Sequence, residues 1–200
     1  YPGANHTRFE HSLGVLQLMN ELLRVIGDDL KDELDLERSE IEKEFYKLRI
    51  AALLHDLGHC PFSHVFEDFL REVGSEINHE YITQLLIQRL LYRLRDEDKK
   101  DISKFGIKDL DDKDILHISK YAIGGMGNPE IPLNALIGNT IDLDKMDYLL
   151  RDSHHTGTTE YGHIDVKRIL LAMKLVKLTE EQIEDLTDLL KGQTNYSEHN

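Results

Sequence analysis

Apolar residues recur three and four positions apart along most of these 200 residues, and no stretch alternates with period two between hairpin turns. A chain so patterned must bury helix faces against other helices, so the expected class is all-α. The first such stretch opens on Thr7 and Glu10, a spacing that lets two side chains satisfy the leading backbone N–H groups of a helix. Phe9, Leu13, Leu16, Met19, Leu22, Leu23 and Ile26 then predict a helix to about Gly27, followed by a charged connector over 28–38. Ser39 and Glu42 suggest a second capping box before a helix through Phe45, Leu48, Ile50 and Leu54 that stops near Gly58. Pro61 suits the first turn of a helix over 62–73, and Asn78 can cap one from His79 to about Arg95. A charge run follows at 96–101, and further helices are expected over 112–123, 133–152, 165–175 and 178–191, the last opened by Thr179 and Gln182.

Two hundred residues with 40% apolar content fit one domain with one core. The expectation is a single domain over 1–200, belonging to a longer chain because it opens on Tyr1 and closes on a polar tail without a natural stop. No apolar run approaches the roughly 20 residues that span a bilayer, so no membrane role is expected. Cys60 is the sole cysteine, which excludes an internal disulfide and leaves cytoplasmic residence, or nuclear, as the default. A net charge of −14 argues against coating nucleic acid, so a polyanionic substrate must meet a local basic site.

Eleven histidines are present, and six fall at His6, His11, His55, His59, His64 and His79. His55 and Asp56 end an apolar helix among Leu53, Leu54 and Leu57, where an unpaired carboxylate costs several kcal/mol or more. Either a bound cation or a salt bridge to a neighbour would offset that cost. Imidazole with carboxylate suits a divalent transition ion, and one cysteine is too few for a structural zinc site. Two residues do not complete a coordination sphere; His11 on the first helix and Asp144 in an acidic helical segment are the candidates for the rest.

Four ordered motifs carry a resemblance: Asn5-His-Thr-Arg-Phe-Glu-His-Ser-Leu-Gly14, His55-Asp-Leu-Gly-His-Cys-Pro-Phe-Ser-His64, Asn78-His-Glu80 and Asp142-Leu-Asp-Lys-Met-Asp-Tyr-Leu-Leu-Arg-Asp152. Over residues 1–157 the chain resembles the HD-domain superfamily, and within it the deoxynucleoside triphosphate triphosphohydrolases, including those that join a sterile-alpha-motif to the HD domain. The resemblance implies a helical bundle with the metal site between helices, and His11, His55, Asp56 and Asp144 as ligands of one divalent ion (Mn, Fe, Mg, Co, Ni or Zn). It implies His79 as a catalytic histidine near the α-phosphate, Glu80 beside it to orient it, and His59 and His64 close to the phosphates. Arg8 and Lys145 correspond to triphosphate contacts, and Tyr148 and Asp152 to contacts at the sugar.

Spacing agrees in part, since Asp144, Tyr148 and Asp152 are each four apart and share one helical face. Each residue also has a plainer role open to it: Arg8 paired with Glu10, Lys145 with Asp147, His64 packing under its helix. The expected reaction releases deoxynucleoside and intact triphosphate, with a homo-oligomer and a nucleotide activator as implied partners. The competing readings are an HD-type nucleotidase or phosphodiesterase acting on another phosphate ester, and a nucleotide-sensing module without turnover.

Overall fold

The computed structural model describes residues 2–34, 36–60, 62–75, 77–97, 106–125, 127, 133, 136–137, 142–158, 164–175, 179 and 181–182. Among them there is no strand, and seven α-helices are seen: α1 (Arg8–Leu34), α2 (Arg38–Leu54), α3 (Ser63–Glu72), α4 (His79–Asp96), α5 (Asp112–Tyr121), α6 (Leu143–Thr156) and α7 (Val166–Ala172). A single 3-10 turn, Ile107–Asp109, precedes α5.

The Thr7–Glu10 box forms, with the Thr7 N–H donating to the Glu10 carboxylate at 2.6 Å and the Glu10 N–H to the Thr7 hydroxyl at 3.2 Å. From there α1 runs seven residues beyond Gly27. The reason is Leu30, which extends the buried stripe of Val15, Met19, Leu22, Leu23 and Ile26 by one more turn and turns the acidic residues of 28–33 outward. The phase of the stripe also differs from expectation. Phe9 and Leu13 are exposed and Val15 is fully buried, so the stripe points back through position 11. The second capping box is Glu37 with Glu40 rather than Ser39 with Glu42. Asn78 caps α4 by accepting from the Tyr81 N–H at 2.9 Å.

Other boundaries move as well. α5 stops at Tyr121, with Gly124 at a positive φ of 71° just beyond it. The long helix expected over 133–152 is instead α6, which starts ten residues later under the Asp142 cap and runs on to Thr156. Leu133 and Ile137 are buried but non-helical, packing as a loop. Asp165 caps α7, which is shorter than the expected 165–175. The box at Thr179 and Gln182 is formed, while the rest of the helix expected to 191, like Pro61, lies outside the described residues.

α1 and α2 lie antiparallel, their stripes interlocked, and α1 also carries α6 and α7. α5 packs against both α2 and α4. Between α2 and α5 sits an ionic cluster: buried Lys47 contacts Glu44 at 2.7 Å and Asp114 at 3.5 Å, Lys43 reaches Asp114 at 2.9 Å, and the Tyr121 hydroxyl donates to Glu44. No helix among the described residues is long and apolar enough to cross a membrane.

The corner after α2 is held by Thr83 of α4. Its hydroxyl accepts the Gly58 N–H at 3.0 Å and donates to the His55 carbonyl at 3.4 Å. A Cβ at Gly58 would lie 2.3 Å from the Thr83 backbone nitrogen and 2.4 Å from the His79 carbonyl oxygen. Gly58→Ala should therefore cost about 3 kcal/mol, at the upper end of overpacking. For a chain of this length that lowers Tm by roughly 6–12 °C in calorimetry; an unchanged Tm would show that α4 does not clamp this corner.

Candidate metal centre

His11 lies one turn before Val15, in line with the buried stripe of α1, and His55 continues the stripe of Ile41, Phe45, Leu48 and Ala52 as the C-terminal cap of α2. Antiparallel packing brings these two ends together. The Nε2 atoms of His11 and His55 are 3.2 Å apart. Two nitrogens bound to one ion at about 2.1 Å each sit about 3.0–3.4 Å apart, so the pair fits a shared cation.

Asp56 and Asp144 close the set. A donor atom from each of His11, His55 and Asp56 lies within 4.8 Å of the others, and the Asp144 carboxylate is 2.9 Å from His11 Nε2 and 3.6 Å from His55 Nε2. His55 Nδ1 donates to the Ala52 carbonyl at 2.9 Å, which leaves Nε2 as the ligating nitrogen. Two imidazoles and two carboxylates are a donor set for a divalent transition ion.

A cleft of about 520 Å³ opens from these residues, lined by His6, Arg8, Asp56, His59, Tyr148 and Asp152 among others. That volume falls within the roughly 300–1,000 Å³ usual for small-molecule sites. Arg8 Nη1 bonds Asp56 Oδ2 at 2.7 Å, not Glu10, and half of its side chain faces solvent. Asp144, Tyr148 and Asp152 line the cleft from one face of α6. His6, unassigned in the sequence, donates from Nε2 to Asp152 Oδ1 at 2.7 Å and stacks on His155. Lys145 is drawn to Asp142 at 3.0 Å rather than to Asp147.

A smaller cleft on the other side holds His79 and Glu80 against His55, Asp56, His59 and Asp144. His59 stacks on His79 with ring centroids 4.2 Å apart and reaches Asp56 at 3.4 Å. Glu67 of α3 holds His79 through both its ring Nδ1 and its backbone N–H, whereas Glu80 is exposed and turns toward Asn78. The orienting carboxylate expected at Glu80 is thus supplied from twelve residues upstream. The His64 side chain lies outside the described residues.

Three residues of the site were not visible in the sequence as such: Glu67, Asp147 and Arg151. Asp147 was read only as a surface partner for Lys145; it is buried, accepts from His11 Nδ1 at 2.8 Å, and is gripped by Arg151 at 2.8 and 2.9 Å. Its place three residues after Asp144 and four before Arg151 was the available signal.

Burial pulls the His11 imidazolium down, but hydrogen bonds to Asp144 and Asp147 and the charges of Asp144 and Asp56 outweigh it and leave the group at about 9. Burial raises the Asp144 carboxyl, yet its bonds to His11 and His55 hold it well below the usual carboxylate range. Burial lowers His59, against the opposing pull of Asp56.

A family model described as the HD domain matches residues 8–152. The chain belongs to the HD-domain family. That family is one of metal-dependent phosphohydrolases, and His11, His55 and Asp56 form a possible site for a divalent ion. This HD domain is 35% identical to an uncharacterized protein of Methanocaldococcus jannaschii over 85% of its own length and 28% of that protein's. It is 34% identical to the Dictyostelium discoideum homologue of deoxynucleoside triphosphate triphosphohydrolase SAMHD1 over 92% of this chain and 33% of that one. For human SAMHD1 the figures are 31%, 90% and 30%. The chain thus spans about a third of the length of these curated relatives. A crystal structure of a hypothetical protein from Aquifex aeolicus superposes with a TM-score of 0.63 at 28% identity, covering 99% of this HD domain and 47% of that chain.

The raised His11 sets a pH dependence. Its bound proton stabilises the metal-free fold fully below the unfolded value of 6.5, and that contribution disappears as pH rises through about 9. Asp144, held low, acts in the other direction, contributing above 3.8 and fading as pH falls through its folded value. The Tm of the metal-free chain should therefore fall between pH 6.5 and 9, a fall that saturating Mn²⁺ removes. Calorimetry in buffers of differing ionisation heat should register about one proton expelled per ion near pH 7.5. Metal uptake without proton release would remove His11 from the ligand set.

Proposed function

We propose that this HD domain hydrolyses deoxynucleoside triphosphates to deoxynucleoside and inorganic triphosphate, with one divalent ion held by His11, His55, Asp56 and Asp144. The observation that carries the reading is a cleft in which His11, Asp56 and Asp144, with His55 Nε2 3.2 Å behind His11 Nε2, stand beside the Arg8 guanidinium and the Tyr148–Asp152 face of α6. The names borne by the SAMHD1 relatives supply the substrate class. A bound ion would supply charge neutralisation at the phosphate and orientation of the attacking water.

The remaining steps belong to the chain's own groups. Arg8, on the rim beside Asp56, would take up phosphate oxygens by charge-assisted bonds, with Lys145, next to Asp144 on α6, as the second cation. Water adds to the α-phosphorus, the bond from phosphorus to the sugar 5′-oxygen breaks, and the leaving oxygen needs a proton. His79 is assigned to donate it: with Nδ1 engaged by Glu67, the ring is held in place. Tyr148 and Asp152 would meet the sugar, where a 2′-hydroxyl is excluded by the Tyr148 ring. The full-length protein is expected to act as a homo-oligomer responsive to a nucleotide activator, as the resemblance implies.

Incubation with a panel of dNTPs should yield inorganic triphosphate and deoxynucleoside, with dGTP consumed well ahead of GTP. Release of orthophosphate or pyrophosphate would instead assign a nucleotidase or phosphodiesterase acting on another ester. His79→Ala should lower kcat by at least about 100-fold while Mn²⁺ binding is kept; a variant that turns over like the parent protein would remove His79 from the proton-transfer role.

A further inference from the structure

His11 presents Nε2 to the metal donors only if its other nitrogen carries the proton. A neutral imidazole has two tautomers, and nothing in the His11 backbone selects between them. Selection comes from α6. Asp147 Oδ2 stands 2.8 Å from His11 Nδ1, and a carboxylate accepts but cannot donate, so the neutral ring keeps its proton on Nδ1 and Nε2, beside His55 and Asp144, is the nitrogen left for an ion.

Asp147 is itself immobilised. Arg151, one turn along α6, takes the same carboxylate in a two-point grip, Nε to Oδ2 at 2.8 Å and Nη2 to Oδ1 at 2.9 Å. The carboxylate is nearly buried, at 8% exposure for the residue. Room for the pair is made by Gly14 of α1: a Cβ there would fall 1.8 Å from Asp147 Oδ1 and 2.4 Å from Arg151 Nη2. Glycine inside a helix costs about 1 kcal/mol relative to alanine, and here its vacant side is filled by the grip itself.

We propose that Asp147, gripped by Arg151 and admitted by Gly14, is a positioning residue that sets the tautomer and aim of His11 and thereby the affinity of the metal centre. The inference rests on reading His11, His55, Asp56 and Asp144 as the ion's ligands. His55 is served by a backbone carbonyl, that of Ala52, so the two imidazoles are aimed by different means: one by its own helix, the other by a side chain from a helix more than 130 residues away in the sequence. A buried ion pair that merely ties α6 to α1 is the competing account, and it makes no reference to His11.

The test is titration calorimetry with Mn²⁺ on the full chain, for the parent protein, Asp147→Asn, His11→Ala and the double variant, with thermal unfolding of each in EDTA. Asp147→Asn keeps the shape of the side chain, and should weaken Mn²⁺ by roughly 10–100-fold, the range for residues that support a metal-ligating histidine. His11→Ala should weaken it further, and the double variant should bind no worse than His11→Ala alone. Equal losses from Asp147→Asn with and without His11 would overturn the proposal in favour of the helix-tying role, as would parent-like affinity in Asp147→Asn. Gly14→Ala gives a second approach that leaves every polar group in place: it should reduce Mn²⁺ affinity in the parent background and have no effect on it beside Asp147→Ala, where the clashing carboxylate is gone. An additive effect there would also overturn the proposal. A parent protein that binds no Mn²⁺ would remove the ligand reading itself, a result distinct from any of these variant patterns.

Discussion

The antiparallel packing of α1 on α2 is the interaction on which the centre depends. Each helix buries an apolar stripe, Val15 to Leu30 on one side and Ile41 to Ala52 on the other, and each stripe terminates in a histidine where the next apolar residue would fall. Burying each large side chain contributes about 1.5–3 kcal/mol. That energy, spent far from the centre, brings two imidazole nitrogens to 3.2 Å from one another. The rest of the site is built onto this seam: Asp56 follows His55 directly, the corner is fixed by Thr83, and α6 delivers Asp144 and Asp147 across α1 at the one place where Gly14 lets a helix come close.

Such a concentration of carboxylates is repulsive unless positive charge is near. Asp56, Asp144 and Asp147 meet His11, Arg8 and Arg151, and the proton on His11 is the adjustable member of the group. With that proton bound, the three carboxylates find a cation.

The helical class, the Thr7 box and the Asn78 cap were legible because each is written in local spacing. That His11 and Asp144 face His55 across helices was legible only through the resemblance, since spacing alone left His55 and Asp56 divided between a metal and a salt bridge. What escaped was the set of contacts made between distant segments. Glu67 and His79 are twelve residues apart on different helices, and the neighbour Glu80 was the natural but incorrect choice because sequence shows adjacency and not direction. The end of α1 was misplaced because the charged residues after Gly27 read as a connector, when Leu30 continues the stripe beneath them. The start of α6 was placed early because Leu133 and Ile137 are apolar at helical spacing yet are buried from a loop.

The ionic cluster between α2 and α5 acts on a different quantity from the stripes. Apolar surfaces of similar texture tolerate sliding along one another, since one leucine is much like the next. Lys47, Glu44 and Asp114 do not, because a slip of one helical turn, about 5.4 Å, would leave buried charges facing apolar neighbours. The cluster thus behaves as a vernier on α2, setting its axial position to a fraction of a turn. Eight residues further along that same rod, about 12 Å, is His55, so the depth at which its imidazole enters the centre is gauged two turns away, by charges that never touch the site.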